Sequence, residues 1–311
     1  MTATTSPSTP TSAASAPTGA PGAPGAFASA ILGSSGPDDD DDAVAAAKPR
    51  RNMADLAGPI GGFIAFIGFW YFMSYWGLKH LFNKPAFLLP PVHRVLNVSI
   101  GNHFVRKQLF DATILSARVA LAGLLISILL GVGLAVVMSR TRWIERMAWP
   151  YLVALQAIPI LAFVPLLGVL FGFNFKARVI VCVMISIFPI VSNTLFGLLS
   201  ADRGQHDLFT LRGASRWTRL RKLQFPAALP AIFAGFRISA GLSVIGAVVG
   251  DTFFRQGQPG VGILIDNYRS RLNNPAMYGA VILAAFLGIA VFALFGWLSE
   301  KAVGHWYEST R

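Results

Sequence analysis

The chain has 311 residues, of which 54% are hydrophobic and 13% charged, with a mean hydropathy of +0.57; that is too apolar for a soluble globular domain, so a membrane is the expected solvent. The formal charge of +12 does not mark a nucleic-acid binder, because the basic residues are scattered through the loops between apolar runs. The single cysteine, Cys182, excludes an intrachain disulfide, a cysteine-rich metal site and a redox pair, and reads as a small packing residue in a helix.

Residues 1–36 carry no charge, and 32 of those 36 are Ala, Gly, Pro, Ser or Thr. Such a stretch buries too little apolar surface to offset its ordering entropy. The run Asp38 to Asp42 that follows is self-repelling and has nothing nearby to complete a metal cage, so 1–52 is expected to be a solvated, disordered tail. No basic region precedes its short apolar patch, which argues against a secretory signal peptide.

A helix rising about 1.5 Å per residue needs about twenty apolar residues to cross the hydrocarbon. Six segments qualify, at roughly 58–78, 119–138, 147–173, 179–199, 227–250 and 276–299, and none shows the period-2 alternation of a barrel strand. The predicted fold is therefore all-α, a polytopic bundle of about six transmembrane helices. Its parts are the tail, a first span within 53–80, a loop and amphipathic segment at 81–118, a core of five spans at 119–300 and a short C-terminal tail at 301–311. Pro159, Pro165 and Pro189 fall inside spans, where freed carbonyls are tolerated beside water or a neighbouring helix. With both termini cytoplasmic, fourteen basic residues lie inside and eleven outside, Arg178 among the eleven, while Arg237 sits within a span. The densest groups, Arg140 to Arg146 and Arg212 to Lys222, then face the cytoplasm.

The segment 201–226 is too organised for a plain linker. Asp207 can cap a short helix running to Arg212, Gly213 can end it in the left-handed conformation, and Ser215 can cap a second helix. Arg212, Arg216 and Arg219, spaced by four and three, are expected to share a face, with Trp217, Leu220 and Leu223 against the membrane helices. Arg237 lies eleven residues beyond Pro226, about 16 Å along a helix, where a charge costs roughly 2.5 to 3.5 kcal/mol and needs a cavity or a partner. Carbonyls near Pro159 or Pro189, the side chains of Gln156 and Asn193, or an anionic solute could serve it; snorkelling to the headgroups is the alternative. Gln156, Pro159, Asn193, Thr194, Arg237 and Asp251 are the residues assigned to a translocation pathway.

Segment 201–226 resembles the cytoplasmic signature of the membrane components of binding-protein-dependent ABC importers: Glu-Ala-Ala, three residues, Gly, nine residues, Ile, one residue, Leu-Pro. Gly213 and Pro226 fall in register, Leu223 stands for Ile and Phe225 for Leu. Asp207 replaces the opening Glu, and Leu208 and Phe209 replace the alanines. Further blocks agree in order and spacing: Leu88-Leu-Pro-Pro91, Ser116-Ala-Arg-Val119, the run from Ala157 to Pro165, Phe188 to Thr194, Pro226 to Arg237 and Gly260-Val-Gly262. Together they are similar to the nitrate, sulfonate, taurine and bicarbonate branch, which includes importers of vitamin precursors such as hydroxymethylpyrimidine and riboflavin. The variant from Asp207 to Ser215 is nearer the latter.

The resemblance implies a type I permease fold without a cofactor, working as one of two permeases, expected to be identical, with two ABC ATPase subunits that use ATP and Mg. It also implies an extracytoplasmic solute-binding protein on an outer face formed partly by 251–277. Asp207, Leu208, Phe209, Arg212, Gly213, Ala214, Arg216, Trp217, Arg219, Leu223 and Pro226 are then the ATPase-coupling residues. Consistent with a partner ATPase, the chain has no Gly-x-x-x-x-Gly-Lys-Ser/Thr phosphate loop, and Gly257 to Gly262 follows a span without the strand-to-helix context of a dinucleotide site. A secondary transporter and a membrane-embedded enzyme are the rival classes. The first normally places acids or histidines within its spans, whereas His80, His93, His103, His206 and His305 fall in loops or the tail; the second needs a cluster of acids or histidines, and the acids outside the tail are spread singly.

Overall fold

The computed structural model describes residues 53–254 and 257–307. The readings placed on the tail 1–52, on Arg255 and on 308–311 lie outside the described residues. The chain divides into two units, Met1–Pro59 and Ile60–Arg311; of the first, only the opening turns of a helix are described.

Among the described residues the longer elements are all helices. α1 runs Met53–Phe72 and continues through a π-helical turn, Met73–Gly77, to His80. α2 spans His103–Arg140, α3 Arg142–Ala157, α4 Ile160–Phe171 and α5 Phe175–Leu199. Two short helices follow, α6 at Arg203–Leu211 and α7 at Arg216–Arg219, and a π-helical turn, Leu220–Gln224, leads into α8, Phe225–Phe253. α9, Val261–Ser270, and α10, Asn274–Tyr307, close the chain.

Five helical stretches are long and apolar enough to cross a membrane: Ala57–His80, His103–Arg140, Phe175–Leu199, Arg216–Phe253 and Asn274–Ala302. The predicted span at 147–173 is not one rod. It is the α3–α4 pair, bent by 100°. Pro159 has no N–H to continue α3 and drives Ile158 out of the helical region to ψ 127, so the chain turns before α4 begins. Pro189, by contrast, sits inside the continuous α5. The second span also starts earlier than expected, because the Asn102 side chain accepts hydrogen bonds from Phe104 N at 3.0 Å and Val105 N at 3.3 Å and caps α2 there.

Lipid supplies no hydrophobic drive between helices, so close packing and interhelical hydrogen bonds hold the bundle. α5 packs most extensively, on α8 and on α2. Cys182 is fully buried between Gly123 of α2 and Gly246 of α8; a Cβ on Gly246 would lie 2.9 Å from the Cys182 Cα. Lower on the same seam, a Cβ on Gly235 would meet the Pro189 carbonyl oxygen at 2.9 Å. Ser127 and Ser186 share a hydrogen bond of 2.8 Å, Ser239 donates to the Ser186 carbonyl at 2.7 Å, and Ser243 to the Ala120 carbonyl at 2.5 Å. Bonds of this kind contribute about 0.6 kcal/mol each in a bilayer. Within the second unit, Trp70 of α1 and Ser74 of the π-helical turn after it donate to Pro90 O and Leu89 O at 3.0 and 2.7 Å, which holds the Leu88–Pro91 block in place.

Candidate functional site

α5 and α8 run antiparallel, and each end of the pair carries an organised structure. The end joining Leu199 to Phe225 is an elbow. Its first helix, α6, is capped by Asp202, whose carboxylate accepts from Gly204 N at 3.4 Å. Asp207, the expected cap, lies inside α6 instead, because the chain is already helical from Arg203. Gly213 takes φ +63, its N–H donates to Thr210 O at 2.9 Å, and Ala214 N–H donates to Phe209 O at 2.9 Å. That pair of bonds is a Schellman ending, which consumes carbonyls that α6 would otherwise leave open. The Ser215 hydroxyl then caps α7 by accepting from Thr218 N at 3.2 Å.

Across the elbow, the Arg219 guanidinium donates to Thr210 Oγ1 at 3.2 Å. Leu220 and Leu223 are buried, Leu220 among Leu198, Ala228 and Ile232 at the foot of α5 and α8, so α7 and its π-helical turn are rooted in the bundle. Trp217 does not share that burial. It is 63% exposed, with the Arg140 guanidinium 5.6 Å from its ring centre. Arg212 and Arg216 do not share a helix face either, since Gly213 turns the chain between them. The elbow thus presents Leu208, Leu211, Arg212, Arg216 and Trp217 outward, with Phe209 half-buried, Pro226 half-buried at the start of α8, and Leu211 87% exposed.

The opposite end is a clasp. Arg178, near the start of α5, and Asp251, near the end of α8, are 2% and 0% exposed, with Nη1 3.0 Å from Oδ1. Arg178 Nη2 donates to Phe254 O at 2.7 Å and Nη1 to Gln258 O at 3.2 Å. The Ser116 hydroxyl of α2 donates to Asp251 Oδ2 and accepts from Val261 N at 2.9 Å. Gly260 and Gly262 are tied to this arrangement by space: a Cβ on Gly260 would overlap the Asp251 carboxylate, and one on Gly262 would overlap Val248 O and lie 2.7 Å from Thr252 Oγ1. Beside the clasp, the Tyr268 hydroxyl of α9 donates to Gln108 Oε1 of α2 at 2.8 Å, and burial pushes its phenol above the ordinary tyrosine value.

Sequence reasoning counted Arg178 among the charges of the outer segments and missed this partnership. Its signal was present in two blocks, Ser116–Val119 and Gly260–Gly262, that are remote in sequence and meet at Asp251. The pathway residues do not gather in one place. Gln156 and Pro159 are exposed at the α3–α4 bend, Asn193 is half-buried with its amide donating to Pro189 O at 2.8 Å, and Thr194 and Asp251 have no exposed surface. Arg237 is exposed on α8 and holds its guanidinium 4.2 Å from the Phe292 ring centre, so it faces α10 rather than Gln156 or Asn193.

A family model described as the binding-protein-dependent transport system inner membrane component matches residues 123–303. The riboflavin transport system permease protein RibX of Chloroflexus aurantiacus is 34% identical over 171 residues, covering 55% of this chain and 63% of that protein. The formylaminopyrimidine transport permease protein ThiX of Halalkalibacterium halodurans is 32% identical over 223 residues, covering 71% and 87%. The bicarbonate transport system permease protein CmpB of Synechococcus elongatus is 26% identical over 256 residues, covering 81% and 91%. The chain is a multi-pass membrane protein and belongs to the family of binding-protein-dependent transport system inner membrane components, in the branch that holds the riboflavin, pyrimidine and bicarbonate permeases.

Proposed function

We propose that this chain forms the translocation pathway of an ATP-driven importer for a small solute, as one of two identical permeases, each engaging a separate ATPase subunit at the elbow. The elbow carries the proposal. Two short helices locked around Gly213 expose apolar and arginine side chains outward, and they are rooted in the same α5/α8 pair that forms most of the core. A surface held in that way passes a push from a nucleotide-driven partner to the membrane helices as a rigid-body motion. Both termini are then cytoplasmic, and a solute-binding protein delivers the solute at the far face, beside the clasp and α9. ATP and Mg belong to the partner.

The solute is a vitamin precursor or a small anion. The first follows the relatives named for riboflavin and formylaminopyrimidine, the second the relative named for bicarbonate. Gln156 and Pro159 stand at the α3–α4 bend and Asn193 on α5 beside Pro189, where carbonyls or amides meet a pathway, and Arg237 supplies the cation on the α8 flank. Copurification with an ATPase in mild detergent tests the assembly. Gly213→Pro is expected to insert normally yet separate ATP hydrolysis from uptake, because proline has no amide donor and cannot adopt φ +63; near-normal transport would remove the elbow from the mechanism. For topology, a cysteine at Ser215 is expected to resist an impermeant reagent applied to intact cells while one at Gln258 reacts, and the opposite pattern inverts the molecule. Uptake unimpaired in both Arg237→Lys and Arg237→Gln would end the role given to Arg237.

A further inference from the structure

The two organised ends belong to one rod. α5 carries Arg178 in its first turn at the clasp and ends at Leu199 beside the elbow; α8 begins at Phe225 beside the elbow and carries Asp251 in its last turn at the clasp. Between them the helices touch along small residues, Gly235 on Pro189, Gly246 on Cys182 and Gly250 on Arg178, so the pair has little freedom to slide. The clasp in turn grips α9 at its first turn, through the Val261 N–H on the Ser116 hydroxyl and the close approach of Gly260 and Gly262 to Asp251. α9 turns Asn267, Arg269 and Ser270 to the surface.

A buried ion pair contributes little net stability by itself, because desolvation cancels most of the attraction. A pair of plain apolar residues would hold α5 to α8 as well. What apolar residues would lack is directionality: the hydrogen bonds and the ion pair of this cluster run from α2 and α5 to α8, Phe254, Gln258 and the start of α9. Directional bonds of this kind hold only over a narrow range of geometries, so a shift of the α5/α8 pair carries the start of α9 with it.

From this we infer that Arg178, Asp251 and Ser116 are positioning residues of a mechanical link, through which α9 at one face of the membrane moves together with the elbow at the other. The kind of partner served is a protein that docks on α9 and reads, or sets, the nucleotide state of the ATPase on the elbow. The inference rests on the proposed docking of an ATPase at the elbow.

The test uses the permease copurified with its ATPase in lipid nanodiscs and labelled with an environment-sensitive fluorophore at Asn267→Cys on α9 or, separately, at Leu211→Cys on the elbow. Cys182 is buried and adds no background. The probe is ATP and Mg with vanadate, which traps the ATPase closed. Both labels are expected to shift in the native background. In Arg178→Met/Asp251→Leu the elbow shift is expected to persist while the α9 shift falls at least about fivefold. An undiminished α9 shift in that variant overturns the link, as does a native α9 label that stays silent while the elbow responds. Should the double variant elute as aggregate, Ser116→Ala removes only the hydroxyl bridge; it is expected to cut the α9 shift about twofold, and an unchanged shift overturns the link. A silent elbow label in the native complex removes the docking proposal itself, and the link with it.

Discussion

At the elbow, Gly213 has nothing within 4 Å of where a Cβ would stand, while at the clasp Gly260 and Gly262 leave no room for one. The elbow glycine is present for its backbone conformation, φ +63, and the clasp glycines are present for space. The surroundings differ in the same sense. Elbow side chains such as Leu211 and Trp217 are 87% and 63% exposed, whereas Arg178 and Asp251 are 2% and 0% exposed and paired with each other. Exposed elbow positions are expected to tolerate substitution within the protomer, whereas the buried clasp positions are not.

The largest expected effect is at the joint. Asp251→Leu alone leaves the Arg178 charge buried without its carboxylate and is expected to cost about 3 to 5 kcal/mol, read as loss of monodisperse protein, while Arg178→Met/Asp251→Leu recovers most of it. Equal behaviour of single and double variants would dissolve the contrast between the two ends. Next comes Gly262→Ala, where the added methyl meets the Val248 backbone and has no way to relax; about 1 to 3 kcal/mol of thermal stability in detergent is expected to be lost.

Gly213→Ala sharpens the contrast, since its methyl meets open space. Its cost is the left-handed conformation alone, about 1 to 2 kcal/mol, and falls on the elbow rather than on the bundle, so transport-coupled hydrolysis is expected to weaken with the melting temperature nearly unchanged. The smallest effect separates the two acids of the elbow. Asp202→Ala is expected to cost about 0.5 to 1 kcal/mol of α6 helicity through the lost cap, and Asp207→Ala almost none, measurable as faster amide exchange over α6 in the first variant only. Equal exchange in both would restore Asp207 as the cap.

Much of this chain was legible without coordinates. Long apolar runs can only be spanning helices, since lipid offers no partner to a free backbone amide, and Gly213 followed by Ser215 spells a helix ending and a helix start through local backbone chemistry alone. The same local logic misplaced the first cap, because Asp202 and Asp207 are both acceptable cap residues and only the actual start of α6 at Arg203 chooses between them. Hydropathy also averages over the turn that Pro159 forces, so 147–173 read as a span without showing that its two halves meet at 100°. Trp217 was expected in the bundle from its apolar character, yet the direction in which α7 leaves the elbow turns it outward onto Arg140.

Sequence by itself therefore determined the membrane, the helices, the elbow and the resemblance to importer permeases, all of which rest on composition, period or contiguous motifs. Tertiary structure alone decided which charges meet. Ser116, Arg178, Asp251 and Val261 lie on four different helices, and their shared cluster exists because the glycine contacts between α5 and α8 bring remote chain ends within hydrogen-bond reach. A charge counted along the chain carries only its sign; whether it faces water, lipid or a carboxylate depends on the packing of elements far from it in sequence.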